Sequence, residues 1–204
     1  MIAFQGCRII GLLSNFERDK YGNELRDRLA RHGALETVTR AMGAHLVSPR
    51  VLAMGCIALQ AMADGHANHT QTVLNLGGAE VVSWVLLHQG TQNVKIAEYC
   101  TAAVASLSYV PTGSQRLGSA GVIEGIAASM LAFPESVDLQ IYGCASFQRL
   151  AANPSNRGLI QESKKGIPAI VQAVKTYRDH ATILTVCGAL IGMGPDNALP
   201  PGAG

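Results

Sequence analysis

The chain reads as an all-α solenoid, and three observations point there. Five cysteines, Cys7, Cys56, Cys100, Cys144 and Cys187, are separated by 49, 44, 44 and 43 residues. Four glycines, Gly33, Gly78, Gly121 and Gly166, keep the same phase at spacings of 45, 43 and 45, and each opens an apolar segment. From each glycine to the next cysteine is 21 to 23 residues, and between markers the apolar residues recur at helical spacing. A fixed period above forty residues is the mark of a repeat architecture, in which no unit can bury its apolar face alone.

Taken in order, the chain opens with a long helix from near Met1, interrupted in its apolar run by Arg8. A secretion signal would need a small-residue cleavage site after Leu13, and none follows. No apolar segment precedes Cys7 to make it a lipidation site. Residues 15–27 are highly charged, and the stretch from Cys7 to Gly33 runs longer than its counterparts. Because the long helix begins almost at Met1, the first unit is expected to lack a leading helix. Its apolar Phe4, Ile9 and Leu13 are expected to be covered by another protein or by an upstream segment.

Past Gly33 a leading helix is expected, then Ser48 and Pro49 as N-cap and first-turn proline of a long helix. A short helix over residues 68–76 follows, and Gly78 is placed to end it and turn the chain. The next leading helix covers residues 79–88, with Thr91 as the cap of the long helix beyond. Another leading helix spans residues 122–133, and residues 133–136 set up the long helix after it. Residues 156–164 make a short helix before Gly166. Asn23, Asn68 and Asn156 each lie ten residues before a marker glycine. The units fall at about 1–33 (partial), 34–77, 78–120, 121–165 and 166–194 (partial), with residues 195–204 as a disordered tail.

Composition narrows the function. Residues are 48% hydrophobic but only 5% aromatic, so small aliphatic side chains must fill the interior between close helices. Charged residues make up 15%, against roughly 25% in an ordinary soluble domain, as though a partner covers part of the surface. A net charge of +2 does not suit nucleic acid or an anionic membrane, and no run reaches the roughly 18 apolar residues a bilayer needs. The chain reads as intracellular and cytoplasmic.

No chemistry emerges from the sequence. Cysteines in stacked helices are expected roughly 8–10 Å apart, too far for a disulfide and too dispersed for zinc, so they read as small core residues. His66 and His69 form a His-x-x-His in a loop with no further ligand nearby in sequence. Gly188, Gly192 and Gly194 follow no strand and make no phosphate loop. No catalytic residue, cofactor or metal is expected.

Three helices in about 44 residues, with a turn glycine between units, resembles the armadillo repeat, the HEAT type being the nearest relative. The likeness covers roughly residues 3–194 and implies a right-handed α–α superhelix. In armadillo proteins that grip extended peptides, a Trp and an Asn four residues later recur on each long helix. The corresponding pairs here are Arg8/Leu12, Ile57/Ala61, Thr101/Ala105, Ala145/Arg149 and Gly188/Gly192, none of them Trp and Asn. The sole tryptophan, Trp84, falls on a different helix. Arg8 and Arg149 are two separated charges, not a basic stripe. The expected groove contacts are Arg8, Gln60, Thr101, Gln148 and Arg149, in a small-sided groove better suited to a helix than to a strand-like peptide. The resemblance implies a non-enzymatic protein-interaction scaffold or accessory structural subunit of a larger assembly, with cytoskeletal and ciliary complexes among the settings. The alternative is a soluble adaptor for short peptide segments of transported or signalling partners.

Overall fold

The computed structural model describes residues 2–14 and 20–191, apart from the side chains of residues 20–22. The expected tail at 195–204, and Gly192 and Gly194, lie outside the described residues. Among those described, thirteen α-helices occur and no strand. In chain order they are α1 (Ile2–Ser14), α2 (Lys20–Arg31), α3 (Ala34–Ala44), α4 (Pro49–Ala63), α5 (Ala67–Asn75), α6 (Gly78–Gln89) and α7 (Val94–Leu107). There follow α8 (Pro111–Ser119), α9 (Val122–Ala132), α10 (Val137–Leu150), α11 (Pro154–Glu162), α12 (Gly166–Thr176) and α13 (Ala181–Ile191).

The helices stack in three columns. Long helices α1, α4, α7, α10 and α13 each touch the next, as do α3, α6, α9 and α12. The short helices α5, α8 and α11 form the third column. A single buried apolar cluster runs from Cys7 to Leu190 through all of these layers. That continuity is what stacking demands of units that cannot bury their own faces.

Local chemistry sets the helix ends, not always where the sequence suggests. Ser48 occupies the N-cap of α4 with Pro49 in the first turn, yet its side chain makes no capping bond. The cap of α7 is Asn93 rather than Thr91: its side chain accepts from the N–H groups of Lys95 and Ile96. Asn and Thr can both cap, and Asn93, with an extended backbone immediately before the helix, takes the position. Ser136 caps α10 as its position implies, accepting from the Leu139 N–H.

The turn glycines also shift. Gly33, Gly77 and Gly121 have φ of +77°, +83° and +81°, the left-handed conformation that glycine adopts without penalty. In the second of these turns the marker Gly78 is thus the first residue of α6, and its neighbour Gly77 makes the turn. Before α12 the device differs. Lys165 stands at the N-cap with φ −113°, and Ser163 Oγ accepts from the N–H groups of Lys165 and Gly166.

Candidate interaction surface and the cysteine column

Aligned cysteines on neighbouring long helices are covalently paired. Cys56 of α4 bonds Cys100 of α7, and Cys144 of α10 bonds Cys187 of α13. This overturns the expectation that stacked cysteines stay apart. The roughly 8–10 Å spacing separates helix axes, whereas Cα atoms lie about 2.3 Å off the axis. Residues that point at one another across the contact are therefore far closer, and the Cα–Cα distances are 4.9 and 5.0 Å. Cys7 is left as a free thiol, 1% exposed, and burial raises its pKa.

The pairing leaves two junctions without a disulfide, α1–α4 and α7–α10, and at the second of these hydrogen bonds cross instead. Ser146 Oγ donates to the Thr101 carbonyl at 3.1 Å, and Arg149 Nη1 donates to the Ala105 carbonyl. At the start of the same two helices, Ser136 Oγ donates to Glu98 at 2.8 Å. Lys95 also reaches Glu98 at 2.6 Å, a contact that raises the lysine pKa.

These bonds change the standing of the groove residues. Thr101 is fully enclosed, 0% exposed, and offers a partner no surface. The whole run from Cys100 to Ser108 is buried, so small side chains have let α4 and α10 close over α7. Gln148 donates to the Val186 carbonyl of α13 at 2.8 Å, while Arg149 is exposed beyond its bond to Ala105. Gln60 is half-buried and Arg8 is exposed on α1. Trp84 is half-buried on α6 and stacks on His88, with ring centroids 4.3 Å apart.

The apolar surface is concentrated on α1. Ile2, Ile9, Leu12 and Leu13 are exposed to 90%, 53%, 62% and 39%. Their spacing puts Ile2, Ile9, Leu12 and Leu13 along one side of a helix whose other side meets α4.

One constellation was hidden in the sequence. His66 and His69 are not in a loop: His66 is the N-cap of α5 and His69 lies in its first turn. Asp27 of α2, 39 residues before His66, completes a group whose ligand atoms all lie within 4.8 Å of one another. The imidazoles stack with centroids 4.7 Å apart, and His66 Nε2 lies 3.1 Å from Asn23 Oδ1. Burial lowers the His66 pKa, helped by the charges of Arg26 and His69. Folding supplies the third group by bringing α2 beside α5, which sequence distance conceals.

Comparison with known proteins fixes the architecture. A designed armadillo repeat protein superposes with a TM-score of 0.70 at 15% identity, covering 90% of this chain and 80% of its own. An engineered protein from a structural genomics effort gives 0.67 at 13% identity, covering 93% and 90%. No family model matches the chain, and no curated protein does. The fold is armadillo-like.

Proposed function

We infer that this chain is a non-enzymatic protein-interaction scaffold that docks an apolar helix of another protein against α1. The observation that carries this reading is the exposed stripe Ile2, Ile9, Leu12 and Leu13. Contiguous exposed apolar side chains on one helix face are how a helical partner is received. Arg8, exposed on the same helix, would supply a polar rim, and Gln60, Gln148 and Arg149 would extend contacts along the long-helix column.

The buried run from Cys100 to Ser108 supports a helix on the end over a peptide along the column. An adaptor for extended peptides needs an open trough at the middle long helix, and there the trough is closed. A docking end would suit membership of a larger assembly. Disulfides persist in oxidising compartments and are rare in the cytosol, so the two pairs favour an assembly outside the reducing cytosol. A cytoskeletal or ciliary complex, and a cytoplasmic location generally, fit less well for that reason.

The test is affinity isolation of the full chain from its native source beside an Ile9→Glu, Leu12→Glu variant. A protein recovered in stoichiometric amount with the parent and lost with the variant, at unchanged helicity, is expected. Equal recovery with both chains contradicts docking on α1.

A further inference from the structure

Beyond the docking role, and independent of it, we propose that His66, His69 and Asp27 form a binding site for a divalent transition-metal ion of the zinc class. His69 is 7% exposed. Its Nδ1 lies 2.9 Å from the carbonyl oxygen of Met62, an atom that can only accept. The Nδ1 hydrogen is therefore spoken for, and the neutral ring presents a lone pair at Nε2. That nitrogen faces Asp27 Oδ1 at 3.0 Å, a second lone pair. Two acceptors so close need a positive centre between them.

A proton on His69 would serve, but the third group argues for a metal. A ring nitrogen of His66 lies within 4.8 Å of the other two ligand atoms. Two imidazoles and a carboxylate make a donor set that suits zinc and its neighbours. With metal–ligand bonds of about 2.0–2.1 Å, tetrahedral ligand atoms stand about 3.3 Å apart, so the three groups close around an ion once the His66 ring turns out of its stack on His69 and the two in-plane lone pairs meet. The bond from His69 Nδ1 to a backbone carbonyl is the outer support that ligating histidines ordinarily have, and it aims Nε2 at the site.

Asp27 and Asp64 place negative charge beside His66, against the positive charge of Arg26. Arg26 directs its guanidinium to the carbonyl oxygens of Ala61 and Asp64, at 3.1 and 3.3 Å, and to Asn23 Oδ1 at 2.5 Å. Asp27, more than half exposed, gives the ion an approach from solvent and leaves a fourth position for water or a partner's side chain. The ion would fasten α2 to α5.

The experiment titrates the chelator-treated full chain with zinc ion alone, then with cobalt(II) for its spectrum. Binding that saturates at one ion per chain with a tetrahedral cobalt band is expected. His66→Gln and Asp27→Asn, both at positions that are not buried, should each weaken binding at least about 10- to 100-fold. Their unfolding midpoints without metal should match the parent. Absence of saturable binding overturns the proposal and leaves His69 and Asp27 as a protonated ion pair. Binding unaffected by either substitution overturns it as well, because the ion then lies elsewhere or takes fewer than three of these ligands.

Discussion

Thr101 holds its hydroxyl in a closed space where Oγ1 has no hydrogen-bond partner among the described residues. An unsatisfied buried hydroxyl costs about 1–3 kcal/mol, and valine has nearly the same shape without it. Thr101→Val should therefore raise the unfolding free energy by about 1 kcal/mol in denaturant titration. A loss of stability would mean that the hydroxyl is bonded and the middle of the column is open. Gly118 shows the opposite constraint. A Cβ there would overlap the side-chain amide of Asn156, which donates to the Ser114 carbonyl at 2.8 Å and the Leu150 carbonyl at 3.2 Å. Asn156 is 2% exposed and cannot retreat without leaving its own buried amide N–H groups unsatisfied. Gly118→Ala is expected to destabilise by about 1–3 kcal/mol, read as a lower denaturant midpoint at unchanged slope.

At the scale of helices, α7 depends on Asn93. Two N–H groups of its first turn are bonded by that one side chain. Asn93→Ala should cost about 1 kcal/mol, or about 2–4 °C in the melting temperature of a chain this size, whereas Thr91→Ala should change little. The helix pairs α4–α7 and α10–α13 are held differently from α7–α10. Each disulfide closes a loop of 44 or 43 residues, worth about 4 kcal/mol if its effect lies in the unfolded chain. Reduction by a phosphine should lower the melting temperature by about 8–16 °C per bond, and the Cys187→Ser chain, with one bond already absent, should show about half of the parent's total loss. Scanning calorimetry with and without reductant checks it. An unchanged melting curve would show that the bonds are absent or do not constrain unfolding.

Across the whole molecule, the sequence carries the stack but not the closeness of its layers. The periods of Cys56, Cys100, Cys144 and Cys187 and of the marker glycines placed the columns, because identical units repeat identical contacts. Short-range choices were less legible: Asn93 against Thr91, or Gly77 against Gly78, depend on backbone angles that neighbouring residues share. The disulfides are not legible in the sequence because a periodicity gives an axis spacing and says nothing of which side chains face one another. For the same reason the sequence alone puts Thr101 in the groove, where the fold buries it. The His66, His69 and Asp27 group needed α2 and α5 to be adjacent, a contact between units that no local pattern encodes.

Neighbouring long helices meet face to face at their cysteines, in one register along the array. The most direct measurement is peptide mapping of the unreduced chain, with free thiols alkylated at the moment of denaturation. Cys56 should be found joined to Cys100 and Cys144 to Cys187, with Cys7 the one alkylated residue, and with Cys7 unreactive until the chain unfolds. A bond between Cys7 and Cys144 or Cys187, or ready alkylation of Cys56 and Cys100 in the folded, unreduced chain, would contradict the stack.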